Sequence, residues 1–154
     1  MSFVLVAFGL GFVSGLRALT ALTITSWAAR LGRISLGGSW LAFLGYAATP
    51  WILTVAALGE LVNDKLPKTP SRTVPPQFAA RILFGSAAGT AIGIASGMVL
   101  FGLALGALGA VAGTLIGARA RAALVKATGG KDLPIALLED ATAIGLSLLL
   151  VHVF

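Results

Sequence analysis

The chain has 154 residues, of which 58% are hydrophobic and 10% charged, with a mean hydropathy of +1.00. A soluble domain is roughly 25% charged, so this chain cannot coat a globule with polar groups and must use lipid as part of its solvent. It has no cysteine, which excludes disulfides, thiolate metal sites and a cysteine nucleophile. Its net charge of +6 sits in loops, where cations report membrane topology rather than nucleic-acid binding.

Four apolar blocks reach the ~20 residues that a spanning helix needs: Phe3–Ala29, Trp40–Val62, Ile82–Ala118 and Pro134–Phe154. The first lacks a basic leader and a small-residue cleavage site, so it is expected as a retained span over 3–29. Arg17 interrupts it. An arginine at a helix centre costs about 2.5–3.5 kcal/mol on insertion scales, so it must face protein or water, and Ser14, Thr20, Thr23 and Ser26 extend a polar strip around it. A second span is expected over 39–65. Its Thr49-Pro50 step should kink the helix, and carbonyls freed at that depth must be buried or line a cavity. Trp27, Trp40, Tyr46 and Trp51 suit interfacial anchors. Glu60 and Asp64, four apart, share a helix face.

The following loop, KLPKTPSRTVPPQ (Lys65–Gln77), is stiffened by its prolines. Ser71 and Arg72 offer a hydroxyl and a guanidinium to a phosphate or a lipid headgroup; the alternative is a rigid, solvated loop. The third block has 37 residues and no charge. As one helix it would run about 55 Å, against a hydrocarbon core of about 30 Å. It therefore divides into spans at 77–97 and 101–127, with a turn near Gly97–Gly102. The last span is expected over 133–153. GGKD (Gly129–Asp132) lacks the rest of a P-loop pattern, and His152 falls at a membrane boundary.

Gly85, Gly89, Gly93 and Gly97 recur every fourth residue, on one face. Gly102, Gly106 and Ala110 make a second row, and Gly109, Gly113 and Gly117 a third. Small residues let helix backbones approach where lipid supplies little drive to associate. The rows are thus expected as glycine-zipper packing, within the chain or between two copies. A sliding seam or a backbone-lined pore is the functional alternative.

With five spans, Lys65, Lys68, Arg72, Arg81, Arg119, Arg121, Lys126 and Lys131 fall on the side of the N-terminus, and only Arg30 and Arg33 on the other. The positive-inside rule then places the N-terminus in the cytoplasm and the C-terminus outside. This topology would orient the first and last hairpins oppositely, as in inverted repeats. LGFVSG (Leu10–Gly15) and LGAVAG (Leu108–Gly113) offer partial support for such a repeat.

Of the five acidic residues in the chain, Glu60, Asp64, Glu139 and Asp140 fall toward the cytoplasmic side, with Arg119 and Arg121 close by. One reading is a lattice of structural ion pairs, Arg17 with Glu60 and Arg119 or Arg121 with Glu139 or Asp140, since desolvated charges need partners. The other is a polar cavity for an ion or small solute, with carboxylates carrying charge and Arg17 setting their pKa. No Ser/His/Asp set, metal-ligand cluster or dinucleotide fingerprint is visible in the sequence, so neither an enzyme nor a cofactor is expected.

GLRALTAL (Gly15–Leu22), ALGELVNDKLPKTPSRTVPP (Ala57–Pro76) and KDLPIALLEDATAIG (Lys131–Gly145) together resemble a family of small integral membrane proteins known as a domain of unknown function, number four-one-two-six. The resemblance runs along nearly the whole chain. It implies a polytopic membrane protein and supplies no activity and no assigned residues.

The expectation is an all-α, polytopic membrane bundle of about five helices, paired as a homodimer in the plasma (inner) membrane. Its leading function is a small transporter or channel for an ion or small solute, with a site at Arg17, Glu60, Asp64, Arg119, Glu139 and Asp140. The alternative is a scaffold or lipid-handling protein in which those charges are structural.

Overall fold

A computed structural model describes residues 3–66 and 71–154. Lys68, Pro67 and Pro70 of the proline-rich loop lie outside the described residues. The architecture is all-α: α1 (Phe3–Leu16), α2 (Thr20–Arg30), α3 (Thr49–Asn63), α4 (Pro75–Ala95), α5 (Val99–Ala127) and α6 (Asp132–His152), with a 3-10 turn at Ala42–Gly45. The last three helices are long and apolar enough to cross a membrane. At 1.5 Å per residue they measure about 32, 44 and 32 Å.

The largest departure from expectation is in the first apolar block. A continuous helix from Gly9 to Ala28 would hold the two about 28 Å apart. Yet a Cβ placed on Gly9 would lie 2.7 Å from Leu150 Cδ1, and Ala28 lines a groove with Val151 and His152. Arg33 Nη1 also approaches His152 Nδ1 at 3.4 Å. At the other end of α6, Arg17 meets Asp140 and the Ala136 carbonyl. The chain therefore reverses at residues 17–19. α1 descends against α6, α2 climbs back beside it, and Arg17 sits at the tip of a re-entrant hairpin.

α3 then descends along α2, fastened by a hydrogen bond from Trp27 Nε1 to Thr54 Oγ1 (3.0 Å) and by the edge-on Trp27–Trp51 pair, 4.9 Å between ring centroids. α4, α5 and α6 follow up, down and up. Residue 3, residues 31–48, the α4–α5 turn and the C-terminus thus share one end of the bundle. Residues 64–66 and 71–74 and the connection at 128–131 share the other, called here the basic end for Lys65, Arg72 and Lys131. The expectation that the N-terminus lies with the basic loops assumed that the first block passes straight through, and the reversal removes that assumption.

The second expected span starts later than foreseen. Residues 31–48 form an irregular cap, and Pro50 lies in the first turn of α3. There its missing N–H costs nothing, so Pro50 starts a helix and does not kink one. The charge-free block divides as expected: Gly97, with φ +71°, turns the chain between α4 and α5.

The glycine rows fill the middle of the bundle. A Cβ on Gly89 would strike the Gly102 carbonyl oxygen, and one on Gly102 the Gly89 carbonyl oxygen. The Gly109 and Gly113 row meets α1 instead, against the carbonyls of Phe8 and Phe12. α5 is thus clasped by α4 on one face and α1 on another, and these glycines are consumed inside one chain. LGFVSG and LGAVAG lie on α1 and α5, which run parallel (Gly11 against Gly106, Gly15 against Thr114). An inverted relation would run them in opposite directions.

The polarity of the molecule is turned inside out. Arg17 is the largest fully buried side chain, and Ser14, Thr25 and Thr114 are buried with it, while Leu83, Leu100, Phe101, Leu108 and Val55 are each more than half exposed. Such an outer surface suits hydrocarbon.

Candidate functional site

The hairpin tip presents the last carbonyls of α1 and the first N–H groups of α2 inside the bundle, where they need partners. Two charged side chains supply them. Glu60 on α3 accepts from the backbone N–H of Ala18 (2.7 Å) and of Leu19 (2.9 Å), one on each carboxylate oxygen. Arg81 on α4 donates through Nη1 to the carbonyls of Gly15 (3.0 Å) and Leu16 (2.7 Å). An anion caps a helix N-terminus and a cation a helix C-terminus, each the favourable sense for the helix dipole. The two caps face one another, Arg81 Nη2 lying 3.8 Å from Glu60 Oε1.

Below the tip lies a second set. Arg17 contacts Asp64 through Nη1 (2.5 Å), Asp140 through Nε (2.6 Å) and Glu139 through Nη2 (3.3 Å). Lys65 reaches the other oxygen of Asp140 at 2.5 Å. Arg72 grips Glu139 with both terminal nitrogens, at 2.5 and 2.8 Å. Arg121 joins Asp64 (2.6 Å) and Glu139 (3.4 Å) and holds Asp132 through two hydrogen bonds, at 2.9 and 2.8 Å. A Cβ on Gly117 would fall 3.1 Å from Arg72 Nη1, so the third glycine row ends by making room for the Arg72–Glu139 pair. Asp140 stands eight residues into α6 and Arg81 six into α4, which sets the layer roughly 9–12 Å inside the basic end.

The charges balance. Arg17, Lys65, Arg72, Arg81 and Arg121 meet Glu60, Asp64, Asp132, Glu139 and Asp140, which are all five acids of the chain. The remaining cations, Arg30, Arg33, Lys68, Arg119, Lys126 and Lys131, account for the net +6. Among the described residues, no three His, Asp or Glu are grouped to hold a metal ion.

An open cavity of about 480 Å³ adjoins the layer at the basic end, lined by Asp64, Lys65, Ser71, Arg72, Arg121 and Asp132 among others. A slot of about 200 Å³ opens between α5 and α6, with Arg121 and Glu139 at its inner wall and Leu124, Ile135 and Leu138 around it.

Of the expected site residues, Arg17, Glu60, Asp64, Glu139 and Asp140 come together, but with other partners than expected. Arg17 pairs with Asp64, Glu139 and Asp140, while Glu60 caps the backbone beside it. Arg119 points away and is exposed, with no partner among the described residues; a side chain two positions from Arg121 lies on another face of the helix. Arg72 enters the layer through Glu139, and Ser71 lines the cavity. Arg81 and Lys65 carry roles that the sequence reading left to topology. The signal for Arg81 was available, since it stands past Pro75-Pro76 and inside the apolar periodicity of α4.

These features suit a membrane protein: three helices long and apolar enough to cross a bilayer pack with a helix pair that folds back on itself and is held by buried ion pairs. The chain belongs to the family described as Domain of unknown function (DUF4126), whose model matches residues 4–153. No curated protein and no solved structure matches it.

Proposed function

We propose that the protein is a small membrane transporter for an ion or small solute, and that the charged layer at the hairpin tip is its gate. One observation carries this reading. The chain interrupts its first helix pair inside the bundle, its free helix ends are held by a carboxylate and a guanidinium, and Arg17 at the break pairs with Asp64, which lines the open polar cavity. Broken helices around a polar centre are a recurrent transporter device, and irregular backbone at membrane depth is tolerated where it is buried or lines a cavity. The positive-inside rule favours the basic end as cytoplasmic, in the plasma (inner) membrane. Residue 3 and the C-terminus then lie outside.

The test is flux through purified protein in liposomes, wild type beside Glu60→Gln, against protons, alkali cations, halides and phosphate. The proposal expects the wild type to move one of them and folded Glu60→Gln not to. If neither moves any of them, the transport reading fails.

A second reading is favoured by the charge balance. Every carboxylate already has a cation, so the layer suits a non-transporting scaffold in which Glu60→Gln alters stability alone. A homodimer in this reading would pair through faces other than Gly85, Gly89, Gly102, Gly106, Gly109 and Gly113, which face helices of the same chain.

A further inference from the structure

We infer that the open cavity at the basic end and the slot between α5 and α6 together bind one anionic phospholipid, its phosphate in the cavity and an acyl chain in the slot. The inference does not rest on transport.

Hydrogen-bond capacity is the first support. A lysine ammonium carries three donors; Lys65 gives one to the Leu61 carbonyl and one to Asp140. A guanidinium carries five N–H groups; Arg72 spends two on Glu139. Both residues and the Ser71 hydroxyl line the cavity beside the Asp64 and Asp132 carboxylates, which Arg121 holds, and this leaves one N–H of Lys65 and three of Arg72 without a partner among the described residues.

Charge is the second. Arg119, Lys126 and Lys131 stand exposed at the same end, and all five acids of the chain are already engaged in the layer. An anion to answer them must come from outside the chain, and each cation near an anionic membrane surface strengthens binding by about fivefold.

Continuity is the third. Arg121 lines both the cavity and the slot. The slot wall of Ala120, Leu124, Ile135 and Leu138 is apolar. A free phosphate has use for the cavity and none for the slot, whereas a phospholipid needs both.

The experiment uses the full chain in detergent micelles, with dioleoyl phosphatidylglycerol, dioleoyl phosphatidylcholine and inorganic phosphate as probes and retained lipid measured by native mass spectrometry. Two variants change exposed lining positions: Ser71→Glu adds a like charge to the cavity, and Ala120→Trp fills the slot. Circular dichroism checks that both stay folded. Phosphatidylglycerol should be retained about fivefold over phosphatidylcholine, and each variant should lose retention by about fivefold. Equal retention of the two lipids would overturn the inference. So would displacement of phosphatidylglycerol by inorganic phosphate together with unchanged binding in Ala120→Trp, which would mark a free-anion site. Both readouts are binding, so the result stands apart from any flux result.

Discussion

Gly106→Ala should destabilise the bundle, although alanine is the better helix former by about 1 kcal/mol. The reason lies in the backbone contact between α4 and α5. A Cβ at Gly106 would press on the Gly85 carbonyl, 3.0 Å from its carbon, and stand 3.1 Å from Gly89 Cα. Carbon atoms settle at about 3.5–4.0 Å, and a gap of 0.5–1 Å already forfeits a quarter to a half of the dispersion energy. The obstructing atoms are backbone and have no rotamer to change, so the helices must part along the seam. Overpacking of this kind costs about 1–3 kcal/mol. Because α5 also carries α1, the separation spreads to a second interface, and the upper end of that range should exceed the gain in propensity. Gly145→Ala on α6 is the control. Nothing lies within 4 Å of its added Cβ, so it should be neutral or stabilising by up to about 1 kcal/mol. Unfolding by sodium dodecyl sulfate, followed by helical circular dichroism, ranks the two variants against wild type. A Gly106→Ala protein as stable as Gly145→Ala would refute the packing argument.

Arg17→Met leaves Asp64, Glu139 and Asp140 short of a buried cation and should cost about 3–5 kcal/mol; adding Asp140→Leu should recover part of the loss, with a coupling of about 1 kcal/mol or more in a double-mutant cycle. Additive effects would mean that the two side chains do not interact. Arg119→Ala touches no described partner and should change stability by less than about 0.5 kcal/mol, measured in the same unfolding assay, with flux in liposomes unaltered. A large effect at Arg119 would restore it to the site from which its exposure removes it.

Much of this arrangement was legible in the residues. The scarcity of charge announced a lipid solvent, the length of the charge-free block required a turn, and Gly97 is where it falls. The glycine rows of α5 were visible as two faces; in the structure Gly102 meets α4, Gly109 and Gly113 meet α1, and Gly106 lies against both. The gathering of Glu60, Asp64, Glu139 and Asp140 near Arg17 followed from how few acids the chain has. The reversal at Arg17 was not legible, because hydropathy is blind to direction: a mostly apolar run of 27 residues over 3–29 describes a crossing as well as two half-length helices folded back. Only approaches distant in sequence, Gly9 with Leu150 and Arg33 with His152, tell the two apart. The pairings were missed for the same reason. Glu60 has the charge to neutralise Arg17, but the reversal brings the bare N–H groups of Ala18 and Leu19 to it first. Pro50 illustrates a local ambiguity, since a proline in a long apolar run fits a kink or a first turn equally well until the helix start is known.

The central claim is that the chain turns back at Arg17 and does not cross. Because the protein has no cysteine, single cysteines can be placed at Val4, Arg33 and Lys126, all exposed, and labelled in sealed vesicles with a membrane-impermeant maleimide. A chain that turns back at Arg17 labels positions 4 and 33 from one face and position 126 from the other. Labelling of 4 together with 126, and opposite to 33, would mean a first helix that passes straight through, and would contradict both the hairpin and the gate built on its tip.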